Sequence, residues 1–412
     1  MSEDRSWRKA GIAGAAIGVI AAGAAAGVAI ERMTVGRGMR RKARLALDSA
    51  GPYGALRGTP GKAVADDGTE LYYEVDEVDE TGAAGDAGAA GAAGAAGPGT
   101  SGGRRRRLFG RKRPAPVTVV FSHGFCLNQD AWHFQRAALR GLVRTVHWDQ
   151  RSHGRSARGV AQLAQGPARG PVPGPAQDPV PVTIDQLGRD LKAVIDAAAP
   201  EGPLVLVGHS MGGMTVMALA GQFPELIRER VAGVAFVGTS SGKLGEVTWG
   251  LPSVGVTALR TVLPGVLRAL GSQAELVERG RRATAEIAAG LVKRYSFGSK
   301  DVDPGVARFA ERLIESTPID VVAEFYPAFT EHDKTAVLPV VFRDIPALIL
   351  AGEKDLVTPS THSEVIGDLL PDAELVLVPD AGHLVILEHP EVVTDRLADL
   401  LVRVGAMAAR TG

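Results

Sequence analysis

Short, uninterrupted apolar runs recur along the chain, each ending on a polar residue or a glycine. PVTVVFSHG (116–124) is followed by VRTVHWD ending at Asp149, PLVLVGHS ending at Ser210 and VAGVAFVG ending at Gly238. Two more, PALILAGEKD and AELVLVPDAGH, end at Asp355 and His383. Runs of this length without polar alternation predict strands buried on both faces. Between them the period lengthens to that of a helix. TIDQLGRDLKAVIDAA opens on a capping-box pattern, Thr183 with Gln186, and carries Leu187, Leu191 and Val194 at helical spacing. Upstream, AVADDGTELYYEV (63–75) predicts a hairpin with its turn at Asp67-Gly68 and a second strand through Leu71, Tyr72, Tyr73 and Val75. Strands alternating with helices predict an α/β protein with a mostly parallel central sheet covered by helices on both faces.

Three stretches break this rhythm. Residues 79–114 and 165–181 are low in complexity. Residues 242–338 are long, lack a strand pattern and read as helical (ALRTVLPGVLRALGSQAELVERGRR, VARFAERLIEST), as expected of a helical cap inserted between two sheet strands. The predicted organisation is a hydrophobic N-terminal segment with a basic flank (1–45), a first core part (63–241) carrying the two low-complexity inserts, the cap (242–338), and a second core part (339–412).

Charge and composition narrow the field. Lys+Arg and Asp+Glu are equal at 46 each, so the chain of 412 residues shows no basic bias toward nucleic acid. A single cysteine, Cys126, excludes an intrachain disulfide. Residues 10–30 hold no charged side chain and, at about 1.5 Å per residue, would extend roughly 30 Å as a helix, the thickness of a bilayer core. Gly14/Gly18 and Gly23/Gly27 have GxxxG spacing, and Arg32, Arg37, Arg40, Arg41, Lys42 and Arg44 follow. The expectation is a membrane anchor with the bulk of the chain on the cytoplasmic side; the alternative is a signal peptide cleaved after Gly27-Val28-Ala29, with secretion. The insert at 79–114 places a glycine at every third position from Gly82 to Gly97 and then reads RRRRLFGRKRP. The repeat is too short and too poor in proline for collagen. It reads as a linker, whose cations Arg104, Arg105, Arg106, Arg107, Arg111, Lys112 and Arg113 are expected to hold the protein to anionic membrane lipid.

Candidate chemistry sits at the ends of the apolar runs. VGHSMGG (207–213) matches G-x-S-x-G, with a strand pattern before it and an apolar helix pattern after it. A serine is unreactive until a base takes its proton, and the base must be oriented by a third group. Asp355 and His383 lie downstream at two further strand ends, in the order Ser, Asp, His.

With SHGF (122–125), DQRSHGRS (149–156), GHSMGG (208–213), GEKDLVTP (352–359) and AGH (381–383) in this order, the chain resembles the α/β-hydrolase superfamily over about residues 63–405, omitting the inserts. The resemblance implies Ser210 as nucleophile, His383 as general base and acid, Asp355 as the orienting carboxylate, and the backbone N–H groups of Phe125 and Met211 as the oxyanion hole. No cofactor or metal is implied. A serine at 210 argues against the dehalogenase and epoxide hydrolase branches, which use an aspartate. The expected reaction is hydrolysis of a carboxylic ester, esterase- or lipase-like, on a small molecule with an apolar acyl group. Alternatives are a cofactor-free haloperoxidase or perhydrolase, another acyl hydrolase of the fold, or a non-catalytic binding protein on it.

Rival residues are few. His389 is a second candidate base, and Asp380 and Asp333 are alternative acids. His123, His153 and His209 read as structural hydrogen-bonders, and Cys126 as a small side chain near the pocket. The cap's apolar positions Trp249, Leu251, Leu259, Val262, Leu263, Val266 and Leu267 are expected to line the acyl site or to pack on the core.

Overall fold

A computed structural model gives the fold for residues 53–79, 116–159, 182–247 and 292–407, with positions 265 and 290. Eight strands form one sheet: β1 (Thr59–Val64), β2 (Glu70–Asp76), β3 (Thr118–Ser122), β4 (Arg144–Trp148), β5 (Leu204–His209), β6 (Val231–Val237), β7 (Ala347–Gly352) and β8 (Glu374–Val378). Their order is β1-β2-β4-β3-β5-β6-β7-β8. The β1–β2 and β2–β4 pairs are antiparallel and the remaining five are parallel.

The expected two-sided burial holds for the inner strands and fails at the edge strand β8, where only Val378 is buried. Every residue of β3, β5 and β7 is buried. Alternate positions feed opposite faces, because successive strand side chains point to opposite sides. Val120, Leu206, Val234 and Ile349 join one core cluster, while Val119, Phe121, Val205, Val207, Ala235 and Leu350 join the other. Helices α1 (His133–Leu139), α2 (Ile184–Ala198) and α3 (Met211–Gln222) follow strands in the first part, α4 (Pro304–Glu315) and α5 (Ile319–Glu331) lie between β6 and β7, and α6 (Ser360–Leu369) and α7 (Pro390–Arg403) lie in the second part. Leu191, Val194 and Ile195 of α2 and Val216, Met217 and Leu219 of α3 cover the first face. Leu139 of α1 and Val393, Leu397, Leu400 and Leu401 of α7 cover the second. Helix α3 is apolar all round and all of its first ten residues are buried, as a helix at the centre of such a core must be.

The capping box of α2 is half made. Thr183 accepts from the Gln186 N–H at 3.1 Å, but the Gln186 amide donates to Asp66 at 2.7 Å instead of turning back to Thr183. It thereby ties the helix to the hairpin turn. That turn is where the sequence placed it: Asp67 accepts from the Thr69 N–H and Gly68 has φ +86°.

The two ends of the stretch between β6 and β7 meet. Gly242 and Asp333 form an antiparallel bridge, and the Lys334 N–H donates to Ser241 O at 2.6 Å. A long insertion can therefore leave and re-enter the sheet at one place. Its described helices α4 and α5 follow the expected helical pattern, and the seven apolar positions named between Trp249 and Leu267 lie outside the described residues.

The expected membrane placement is corrected. Among the described residues no helix is long and apolar enough to cross a membrane. The segments that carried the expectation, residues 10–30 and the cations from Arg104 to Arg113, lie outside the described residues, as does the second insert at 165–181. An Ala/Gly run free of charge meets a length criterion without the hydropathy of a Leu- or Ile-rich span.

Candidate active site

The end of β5 and the start of α3 meet at Ser210, which has φ +53° and ψ −119°. A non-glycine residue with positive φ is strained and is held there by its surroundings. Here the Ser210 N–H donates to Val237 O at 2.9 Å, and Thr239 donates to Ser210 O at 2.7 Å. The flanking glycines are needed for space. A Cβ on Gly208 would lie 2.5 Å from backbone atoms of Gly212 and Gly213, and one on Gly212 would run into the Ser122 carbonyl. Gly212→Ala is therefore expected to cost about 1–3 kcal/mol of stability in a denaturant titration, because the obstacle is backbone rather than a flexible side chain. Wild-type stability would refute this account of the turn.

The turn lifts Ser210 toward His383. Ser210 Oγ is 2.9 Å from His383 Nε2, and His383 Nδ1 is 2.8 Å from Asp355 Oδ2. The three residues are separated by up to 173 positions in sequence and come from the ends of β5, β7 and β8. Parallel strands present their carboxyl ends on one edge, which is why such distant residues meet. Asp355 is held from behind: its Oδ1 accepts from the Val357 and Thr358 N–H groups at 2.8 and 2.9 Å. Thr358 Oγ1 lies 2.9 Å from Asp355 Oδ2 and 2.8 Å from Gly238 O. Thr358 was not singled out from sequence, although an aspartate followed two and three residues later by donors is a recognisable turn pattern.

The rival groups are elsewhere. Asp380 is exposed and pairs with Lys354. Asp333 accepts from the Thr335 N–H beside the Gly242 bridge. His389 stands at the N-cap position of α7 and makes no side-chain capping bond.

The three motif histidines are buried hydrogen-bonders. His123 Nδ1 donates to Gly124 O at 2.7 Å and its Nε2 accepts from the Gln150 N–H at 2.9 Å. His153 Nδ1 donates to Arg151 O and its Nε2 accepts from the Cys126 N–H at 3.3 Å. His209 Nε2 donates to the carbonyl of His383 at 2.9 Å. Burial drives all three toward the neutral ring, to pKa values of about 4 for His123 and about 3 for His153 and His209. Each therefore keeps one donor and one acceptor nitrogen at neutral pH.

Together, His123 and His153 hold the residues on either side of Phe125. Among the described residues, neither the Phe125 N–H nor the Met211 N–H has an acceptor. Burial also pushes the Cys126 thiol up to about 12, so it is not a thiolate at neutral pH. No cluster of three or more His, Cys, Asp or Glu side chains that could hold a metal ion occurs among the described residues.

Ser210 and His383 open into a cavity of about 600 Å³. Its described lining is mostly apolar, with Phe125, Met214 and Leu384 from the core and Ile314, Val322 and Phe329 from α4 and α5.

A profile of the alpha/beta hydrolase fold matches residues 117–390. The dihydrolipoyllysine-residue acetyltransferase component of the acetoin cleaving system of Pseudomonas putida is 26% identical over 302 residues, 73% of this chain and 67% of that protein. The sn-1-specific diacylglycerol lipase of Mus musculus is 30% identical over 204 residues, 48% of this chain and 59% of that one, so the match spans little more than half of the lipase. Among solved structures, the esterase RhEst1 of Rhodococcus sp. aligns with a TM-score of 0.56 at 18% identity, over 84% of this chain and 100% of that one. At that identity the likeness is one of fold. With two thirds of its length matched by the family profile, the chain belongs to the alpha/beta hydrolase fold family and is a hydrolase of that fold.

Proposed function

We propose that the chain cleaves carboxylic esters through an acyl-enzyme on Ser210. The observation that carries this is the Ser210–His383–Asp355 hydrogen-bonded chain, at 2.9 and 2.8 Å, opening into an apolar cavity of about 600 Å³.

In this reading Ser210 Oγ attacks the ester carbonyl carbon as its proton passes to His383 Nε2. Asp355 accepts from Nδ1–H, which fixes the tautomer and stabilises the imidazolium. The carbonyl oxygen, now an oxyanion, takes the N–H groups of Phe125 and Met211, each worth about 3 kcal/mol in such a site. Collapse of the tetrahedral intermediate expels the alkoxide, which receives the proton from His383 Nε2. Water, deprotonated by the same nitrogen, then releases the acid and restores Ser210. An intact proton chain favours turnover over a binding role on the same fold.

The apolar lining suits an uncharged acyl group, because a buried carboxylate without a partner costs several kcal/mol. The similarity to the diacylglycerol lipase of Mus musculus supports an acyl ester as substrate. We further propose that residues 242–338 form a cap on a core made of 63–241 and 339–412, as supported by the Gly242–Asp333 bridge at its neck.

A panel of p-nitrophenyl esters graded in acyl length tests the substrate class. A clear optimum among uncharged acyl chains is expected, and a flat response near zero across the panel would remove ester hydrolysis. Val322→Trp, which adds bulk to the cavity wall, is expected to move that optimum to shorter chains by at least two carbons. An unmoved optimum would mean that the acyl group lies elsewhere.

A further inference from the structure

We infer that Glu388 is a positioning residue that sets His383 against the wall of the substrate cavity. The inference rests on the reading of Ser210 and His383 as the catalytic pair. Glu388 closes the short helix Val385–Glu388, whose first three residues are buried in the core. Its carboxylate gathers three backbone donors from two distant stretches. Oε2 accepts from the Gly382 N–H at 2.6 Å, and Oε1 accepts from the Ser299 N–H at 2.7 Å. The Gly298 N–H points between the two oxygens, at 3.0 and 3.1 Å.

These two stretches do different work. Gly382 immediately precedes His383. Residues 296–299 continue from Val292, Tyr295 and Ser296, which line the cavity. The two backbones cross in direct contact: a Cβ on Gly382 would lie 2.5 Å from Gly298 N, and one on Gly298 would run into the Asp380 carbonyl. Beside the crossing, the Leu384 N–H donates to Ser296 O at 2.7 Å.

Among the described residues, the amides of Gly298, Ser299 and Gly382 have no acceptor except Glu388. A carboxylate is the one side chain that offers acceptor lone pairs to all three and no competing donor. An amide in its place would turn an NH2 group toward at least one N–H. The crossing would then relax, and with it the approach of His383 Nε2 to Ser210.

Glu388 touches neither Ser210 nor Asp355 through any hydrogen bond, so its effect runs through backbone placement. The two ends it joins are the base and the cavity wall. A shift of the base relative to Ser210 acts on the chemical step, whereas a loss of general stability does not act on the folded enzyme's turnover.

The test is Glu388→Gln in the full chain, assayed on p-nitrophenyl acetate below the melting transition of both proteins, with fluorophosphonate labelling rates measured in parallel. The expected result is a fall in kcat and in labelling rate of roughly 10- to 100-fold, as for a misplaced catalytic group, with KM within threefold of wild type. Glu388→Asp, which keeps the charge, is expected to retain more activity than the glutamine variant. Gly298→Ala, which forces the same crossing apart, is expected to give the same kcat-selective loss. A lower melting temperature with kcat unchanged would make Glu388 a stability residue only and overturn the inference. If the glutamine variant does not fold, wild-type kcat in both Glu388→Asp and Gly298→Ala overturns it equally. A wild-type enzyme that neither labels nor turns over would instead remove the catalytic reading itself, and this inference with it.

Discussion

Replacing Ser210 by alanine is expected to lower kcat on a p-nitrophenyl ester by about 10⁴- to 10⁶-fold and to abolish fluorophosphonate labelling. The size follows from the geometry. Among the described residues Ser210 Oγ is the one atom hydrogen-bonded to His383 Nε2, so removing it leaves the base with nothing to deprotonate except water. The backbone at 210 has φ +53°, a conformation equally strained for serine and alanine, and the side chain carries none of the turn's backbone hydrogen bonds. The variant should therefore melt within a few degrees of wild type, which separates loss of chemistry from loss of fold. Cys126 lines the same cavity, but its thiol is held protonated by burial, with a pKa of about 12. Residual activity should accordingly be indifferent to thiol alkylation. Labelling that persists in Ser210→Ala would place the nucleophile elsewhere.

Asp355→Asn should cost about 10³- to 10⁴-fold in kcat, with kcat/KM falling in step, since the lost interaction belongs to the transition state. The reason is a conflict the asparagine cannot resolve. At Oδ1 the site presents two N–H donors, Val357 and Thr358, and at Oδ2 it presents His383 Nδ1. An aspartate accepts at both ends. An asparagine that keeps its carbonyl toward the two amides must turn its NH2 toward His383. The imidazole then accepts at Nδ1 and carries its proton on Nε2, where it cannot receive the proton of Ser210. Flipping the amide puts the NH2 against the Val357 and Thr358 N–H groups and disturbs the turn that holds the residue. Asp380→Asn and Asp333→Asn serve as controls and should stay within about twofold, because these carboxylates engage Lys354 and Thr335 instead. A loss below tenfold for Asp355→Asn, or a large loss for either control, would reassign the acid.

Much of the fold was legible in the chain because its strongest signals are local. The apolar runs ending at Asp149, Ser210, Gly238, Asp355 and His383 are strands or lead directly out of them, and for the inner strands among them the unbroken hydrophobicity follows from burial on both faces, whereas the last forms the edge strand β8, where only Val378 is buried. The hairpin turn and the N-cap at Thr183 also stand where turn and capping chemistry put them. Less was legible at boundaries and in side-chain networks. The first strand begins at Thr59, ahead of the expected start, since TPGK carries no apolar alternation and is recruited by pairing with β2. Gln186 forsakes its capping partner because a turn from another part of the chain offers it Asp66. The expected membrane placement was not upheld, since no helix among the described residues has the length and hydropathy for a span, and residues 10–30, which carried it, lie outside them.

The sequence by itself determined which residues would stand at the carboxyl ends of the strands, and therefore that Ser210, Asp355 and His383 would share one edge of the sheet. Strand period and chain order are one-dimensional properties, and a parallel sheet turns them into position. Only the tertiary structure decided which carboxylate faces His383, because Asp355 and Asp380 both follow strands and differ in what surrounds them. One is buried at 3% exposure and bonded to the imidazole, while the other is exposed and paired to a lysine. The Glu388 clamp and the size of the cavity likewise arise from contacts between stretches far apart in the chain. Such contacts depend on side-chain direction and close packing, which no local pattern of residue types encodes.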